Sequence, residues 1–210
     1  MNEPMRLMQW GGLICVHGML AACATPPPIH YYALQSVQPG APAAGQASGS
    51  ALAPSNALVL DPVHIPAELD RLEIVTHGGP YRVRISDEQR WSSPLDDQIR
   101  RVLWDDLSER LPAHALIDRS TEAGGSTHRR LSVDVLDFYI GPDCRTHLRA
   151  AWSIRGPSGH GQQAAGTESI EEAAQDACGV QAAYAPVGMS HALAALADRI
   201  ADATARSNEN

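Results

Sequence analysis

The stretch LSVDVLDFYIGPDCRTHLRAAWSIR, residues 131–155, decides the fold class. Leu131–Ile140 and His147–Arg155 read as a long antiparallel pair, joined by the turn residues Gly141-Pro142-Asp143-Cys144. Gln162–Glu171 follows as a third strand. Upstream, ALVLDPVHI (Ala57–Ile65) reads as a strand ended by Pro66, and Ala115–Asp118 as a short one. Glu73–His77 and Tyr81–Ser86 form two short strands around Gly78-Gly79-Pro80, and Tyr81–Ile85 alternates with period two, its arginines on one face. A first strand lies at Ile29–Leu34.

Two helices interrupt these strands. At the first, Ser93 can cap, Pro94 suits the opening helical position, and Asp96 and Asp97 favour the positive end of the dipole. Leu95, Ile99, Val102, Leu103 and Leu107 supply its buried stripe, and Trp104 extends that face or meets a partner. The second, from about Val187 to Ala203, repeats Met189, Leu193, Leu196 and Ile200 at helical spacing. The expected class is α/β (α+β): a mixed, largely antiparallel sheet with two main amphipathic helices packed on one face.

The N-terminus carries a different signal. Residues 7–22 are mostly apolar and, apart from one neutral histidine, His17, hold no acidic or basic residue, with Arg6 ahead of them. The run is short and interrupted by glycine, where a spanning helix needs about 20 apolar residues. A basic residue, an apolar run and a small-residue cleavage site describe a secretory signal peptide. Leu20-Ala21-Ala22-Cys23 resembles a bacterial lipobox, which implies cleavage before Cys23 and covalent lipid on that cysteine. An ordinary secretory signal ending in cysteine is the alternative. Multiple acyl chains hold a protein on a bilayer where one chain is marginal. Ala24, rather than aspartate, follows the cysteine, and the resemblance then favours the outer membrane. Ala24–Pro28 spans about 17 Å at most, so the body should sit close to the bilayer.

The expected organisation is a lipoprotein signal at 1–22, the lipidated Cys23 with a proline-rich stalk to 28, one domain over 29–206 and a disordered tail at 207–210. Within the domain, 38–56 is an uncharged Ala/Gly/Pro/Ser-rich flexible insertion. Removing residues 1–22 takes away one acid (Glu3) and one base (Arg6), so 15 basic residues face 23 acidic ones and the balance stays at −8. That argues against nucleic acid, which calls for a basic face. Of four cysteines, Cys15 leaves with the signal and Cys23 is lipidated. Cys144 and Cys178 remain in a compartment that permits disulfides. Bridging them would add about 3 kcal/mol in the chain-entropy account.

No catalytic constellation appears. His77-Gly78-Gly79-Pro80 is similar to an esterase oxyanion loop, but that loop needs a Gly-x-Ser-x-Gly elbow, and Gly156-Pro157-Ser158-Gly159-His160 lacks the last glycine. HGGP reads as a turn. The histidines show no short-range metal spacing, and adjacent acids such as Asp96-Asp97 diverge by about 100° on a helix. The expectation is a protein that is not an enzyme, with no metal and no cofactor beyond the lipid on Cys23.

The order of several blocks carries a family resemblance. Tyr31-Tyr32-Ala33-Leu34 follows the lipobox. Then come Leu60-Asp61-Pro62-Val63-His64-Ile65-Pro66, Leu69-Asp70-Arg71, and Arg90-Trp91-Ser92-Ser93-Pro94-Leu95 leading into the first helix. Val133-Asp134-Val135, Ala151-Trp152 and Leu196-Ala197-Asp198-Arg199-Ile200 complete the series. Together these resemble the ABC-type transport auxiliary lipoproteins, often called PqiC-like, across nearly the whole mature chain. The resemblance implies a non-catalytic lipoprotein on the periplasmic face of a Gram-negative outer membrane. It implies as partners an MCE-domain protein and an inner-membrane transporter component, in a lipid transport system that supports membrane integrity. A homo-oligomeric ring would suit a ring-shaped partner. Asp70, Arg71, Arg90 and Trp91 are the candidate partner-binding residues. Two other classes stay open: a self-contained lipid binder with phospholipid in an apolar cavity, and a structural envelope lipoprotein.

Overall fold

The computed structural model of the chain describes residues 27–39, 57–117, 128–157, 161–173 and 181–208. The signal segment, Cys23, most of the 38–56 insertion, Asp118, Cys178 and the last two residues lie outside the described residues. In chain order the elements are β1 (His30–Tyr32), β2 (Leu58–Leu60), β3 (Glu73–Gly79), β4 (Arg82–Trp91), α1 (Leu95–Arg110), β5 (Leu116–Ile117), β6 (Arg129–Ile140), β7 (Arg145–Arg155), β8 (Gln162–Ala173) and α2 (Gln181–Asn208).

The class is the expected mixed α+β, but the strands divide into two sheets, ordered β5-β2-β6-β7-β8 and β1-β4-β3. The β6-β7-β8 meander and the β3–β4 hairpin are antiparallel. β2 runs parallel to both β5 and β6, and β1 parallel to β4.

The β6–β7 register explains LSVDVLDFYI. Leu131 pairs with Ile154 and Val133 with Trp152; a register shift between Val135 and Asp137 then leaves Leu136 extra. One inserted residue flips every later side chain to the other face. Phe138 and Ile140 thereby join Leu131, Val133 and Val135 in the core, while Asp137 and Tyr139 turn outward. α2 covers this inner face with Met189, Leu193, Leu196 and Ile200, all buried among small alanines. Close approach is built in: a Cβ on Gly188 would strike the Thr146 side chain, and one on Gly166 would lie 2.9 Å from the Trp152 ring. α2 also touches β3 and β4 of the small sheet, and α1 packs on α2.

The expected stripe of α1 is buried, and Trp104 is half-buried against the same core. Its start differs from expectation. Pro94 is the N-cap, no side chain caps the helix, and Ser93 instead accepts a hydrogen bond on its carbonyl from Gln98 Nε2 at 2.8 Å. α1 stops at Leu111, extended as a residue before proline must be. α2 begins at Gln181, ahead of the expected Val187, with Pro186 inside it. Pro186, in the second turn of α2, cannot donate a hydrogen bond to the Ala182 carbonyl and its ring crowds that carbonyl.

Candidate functional site

Residues 33–37 form an extended strap laid along both helices, fastened almost wholly through its backbone. Leu34 N–H donates to Gln98 Oε1 at 2.9 Å, and Arg101 Nη2 donates to the Leu34 carbonyl at 2.7 Å. Gln35 N–H donates to Ser190 Oγ at 3.0 Å, and Ser190 in turn donates to the Pro186 carbonyl at 2.6 Å. Val37 N–H donates to Asp106 Oδ1 at 2.9 Å, and Arg110 Nη2 reaches the Val37 carbonyl at 3.3 Å. Leu34 is fully buried as the apolar pin of this strap. Backbone groups that leave water without a sheet partner need such side-chain partners.

Asp106 is the group under most tension in the clamp. It is fully buried, and its Oδ2 has no hydrogen-bond partner. Burial pushes its carboxyl up to about 6, against the pull of the Val37 N–H and the Arg110 guanidinium. Arg110 lies 3.6 Å from Asp106 and 2.5 Å from Asp198 on α2, tying strap and helices together. Beside the strap, Ala33, Gln35, Val37, Pro186, Val187 and His191 line an open cleft of about 210 Å³. Small-molecule sites start at about 300 Å³, so this cleft is too small to enclose a phospholipid.

The four candidate partner-binding residues do not share one environment. Trp91 is buried at 2% exposure; its N–H donates to the Leu72 carbonyl, and it pairs in register with Tyr32. Its side chain belongs to the core. Asp70 and Arg71 are exposed in the turn after the buried Leu69. Arg90 is half-exposed, 3.8 Å from Glu73 across β3–β4, and stands between Glu73 and Tyr31 in the register. Exposed Tyr31 and Leu72 lie close to them. Asp70, Arg71 and Arg90 thus lie near one end of the small sheet, and Trp91 holds that end to the body.

The DPVHIP block works structurally. Asp61 N–H donates to the Leu131 carbonyl, while its carboxylate accepts from Arg130 Nε, Arg130 Nη2 and Ser132 Oγ. His64 bridges to Asp134 three residues on. HGGP is a turn, as expected: β3 ends at Gly79 with φ +150, and Pro80-Tyr81 connect to β4. His77 stacks on Tyr139 with ring centroids 3.8 Å apart, and Tyr139 stacks on His147 at 5.0 Å. His147 in turn lies 3.2 Å from Asp143. Cys144 is held in a disulfide, and Cys178, the partner the sequence suggests, lies outside the described residues. Among the described residues, no group of three or more His, Cys, Asp or Glu is arranged to hold a metal, and no helix is long and apolar enough to cross a membrane.

Gln98, Arg101, Asp106, Arg110 and Ser190 were not among the candidates from sequence. The readable signal was a polar residue inside the apolar stripe of α1, Asp106, and another at its edge, Gln98.

A family profile described as "ABC-type transport auxiliary lipoprotein component" matches residues 32–201. No curated protein sequence matches the chain. A solved structure titled only as an uncharacterized protein is similar at TM-score 0.65 and 21% identity, covering 84% of this chain and 98% of its own. A Xanthomonas campestris protein of a domain family of unknown function is similar at TM-score 0.64 and 14% identity, covering 86% of this chain and 97% of its own. At these identities both show the fold alone. The PelC dodecamer of Paraburkholderia phytofirmans is more distant, at TM-score 0.43 and 11% identity, with 75% of this chain and 92% of its own covered.

Proposed function

The chain belongs to the ABC-type transport auxiliary lipoprotein component family, and from that membership we propose that it is a non-catalytic, outer-membrane-anchored subunit of a trans-envelope lipid transport system. In this reading Cys23 carries the lipid, and the body docks the periplasmic conduit, an MCE-domain protein, at the outer membrane. An inner-membrane transporter component completes the system. The observation that carries the reading is the strap. A short stalk is useful for docking only if the body cannot swing on it, and residues 33–37 are fastened to both helices within ten residues of Pro28. The end of the small sheet, with Tyr31, Asp70, Arg71, Leu72 and Arg90, supplies a mixed apolar and charged surface beside that fixed point.

The test is photo-crosslinking from Tyr31 or Leu72 in intact envelopes, followed by affinity purification in detergent. With no lysine in the chain, amine-reactive reagents serve as the blank. Recovery of an MCE-domain protein is expected. Its absence, with the protein folded and membrane-bound, would favour a structural lipoprotein instead.

A further inference from the structure

We infer that the tip of the β3–β4 hairpin is a second membrane contact, seating Tyr81, Val83 and Ile85 in the headgroup layer of an anionic bilayer. The apolar side of the argument is exposure. Tyr81 is completely exposed, and Val83 and Ile85 are 52% and 48% exposed. Val83 pairs with His77 and Ile85 with Val75, so both aliphatic side chains stand on one face of the ribbon. A contiguous apolar row of this kind at a strand tip marks a contact surface better than scattered exposed residues do.

Charge selects the occupant. Arg82 and Arg84 alternate with these residues on the other face, and neither forms an ion pair among the described residues. The acidic residues of the strand, Asp87 and Glu88, come further from the tip, where the β3–β4 register shifts. The protein as a whole carries −8, so an unpaired arginine pair at an apolar tip is a local reversal of sign. Aromatic and aliphatic groups flanked by arginine suit a headgroup layer with phosphates.

Topology brings the tip to the bilayer. β1 pairs with the far end of β4, His30 with Gln89, but runs parallel to it. The chain ahead of His30 thus heads toward the hairpin tip, about 23 Å up the strand, a span that the seven residues back to Cys23 can cover when extended. Pro27, Pro28 and Ile29 are exposed along that path. Only Ala24, Thr25 and Pro26 separate Pro27 from Cys23, so a lipid on Cys23 lies within about 14 Å of Pro27. The inference therefore rests on the anchor at Cys23. A body held at two points, the lipid and the hairpin, would have a fixed orientation on the membrane.

The test uses the full lipidated protein carrying Val83→Cys labelled with an environment-sensitive fluorophore. It is reconstituted in vesicles of phosphatidylethanolamine and anionic phosphatidylglycerol, with quenchers on the lipid headgroups. Asp202→Cys is the control. Ser207 binds Arg129 at the start of β6, whereas His77 stacks on Tyr139 about 33 Å of strand away. Asp202, five residues before Ser207 on α2, therefore lies about 25 Å from His77 along the strand direction. The expected result is a blue shift and strong quenching at position 83, neither at 202, and loss of the blue shift when Arg82 and Arg84 are both replaced by serine. Protein that floats with the vesicles but keeps an aqueous label at 83 overturns this inference and leaves the anchor standing. Protein that does not float removes the anchor and the inference together. A label that becomes shielded only when a partner protein is added assigns the tip to that partner and overturns the membrane contact.

Discussion

Replacing Asp106 by asparagine probes the strap and the energetics of its clamp in one experiment. The wild-type carboxyl is fully buried, accepts the Val37 N–H and faces Arg110, yet burial dominates and holds it at about 6. In the unfolded chain it returns to 3.8. The folded state therefore binds this proton more tightly than the unfolded one. The stabilisation is fully present below about pH 3.8 and is lost as pH rises through about 6. A gap of about two pH units corresponds to about 3 kcal/mol. Asparagine keeps an oxygen for the Val37 N–H and has no charge to desolvate. The stability of Asp106→Asn minus that of wild type should accordingly rise by up to about 3 kcal/mol between pH 4 and pH 7. Urea unfolding at several pH values, followed by tryptophan fluorescence, reads this difference directly. Parallel curves for the two proteins would refute the reasoning, because they would mean that Arg110 compensates the buried carboxylate in full.

Three further outcomes follow from the same structure. Trp91→Ala should destabilise by about 3–5 kcal/mol, whereas Arg90→Ala, which breaks a half-exposed pair, should cost at most about 1 kcal/mol; thermal unfolding of both, beside their crosslinking yields, separates a core role from a surface one. Gly166→Val places a Cβ against the Trp152 ring and should cost about 1–3 kcal/mol by overpacking, and an unchanged melting temperature would show that the ring is free to move. Asp61→Ala removes three hydrogen bonds between the DPVHIP segment and β6 and should cost about 1–3 kcal/mol, measured by chemical denaturation; no loss would assign the block a role other than holding β2 to β6.

The meander was legible because its signals are local. Strand-forming residues flank a Gly-Pro-Asp turn, and α1 and α2 carry apolar side chains at helical spacing. The family blocks were legible too, but their purpose was not. Trp91, read as a candidate for partner contact, is a core residue, and Asp61 is a bracket between two segments distant in sequence. A residue type says little about which of these it is, since burial depends on what the rest of the chain brings over it. The start of α1 was misplaced by one residue because Ser93 fits cap chemistry and Pro94 the first helical position, whereas the backbone makes Pro94 the cap with no side-chain cap bond.

The sequence by itself indicated the main strands, both helices and the family, because each depends on residue types at short or ordered spacing. Tertiary structure alone decided that the strands form two sheets, since β1 pairs with β4 across about 60 residues of chain. It alone decided that Leu136 is a bulge, and that Gln98, Asp106 and Arg110 serve the backbone of a strap about 70 residues away. Backbone hydrogen bonds of that kind leave no pattern in the residues they fasten, because an N–H or a carbonyl is the same whatever side chain it carries.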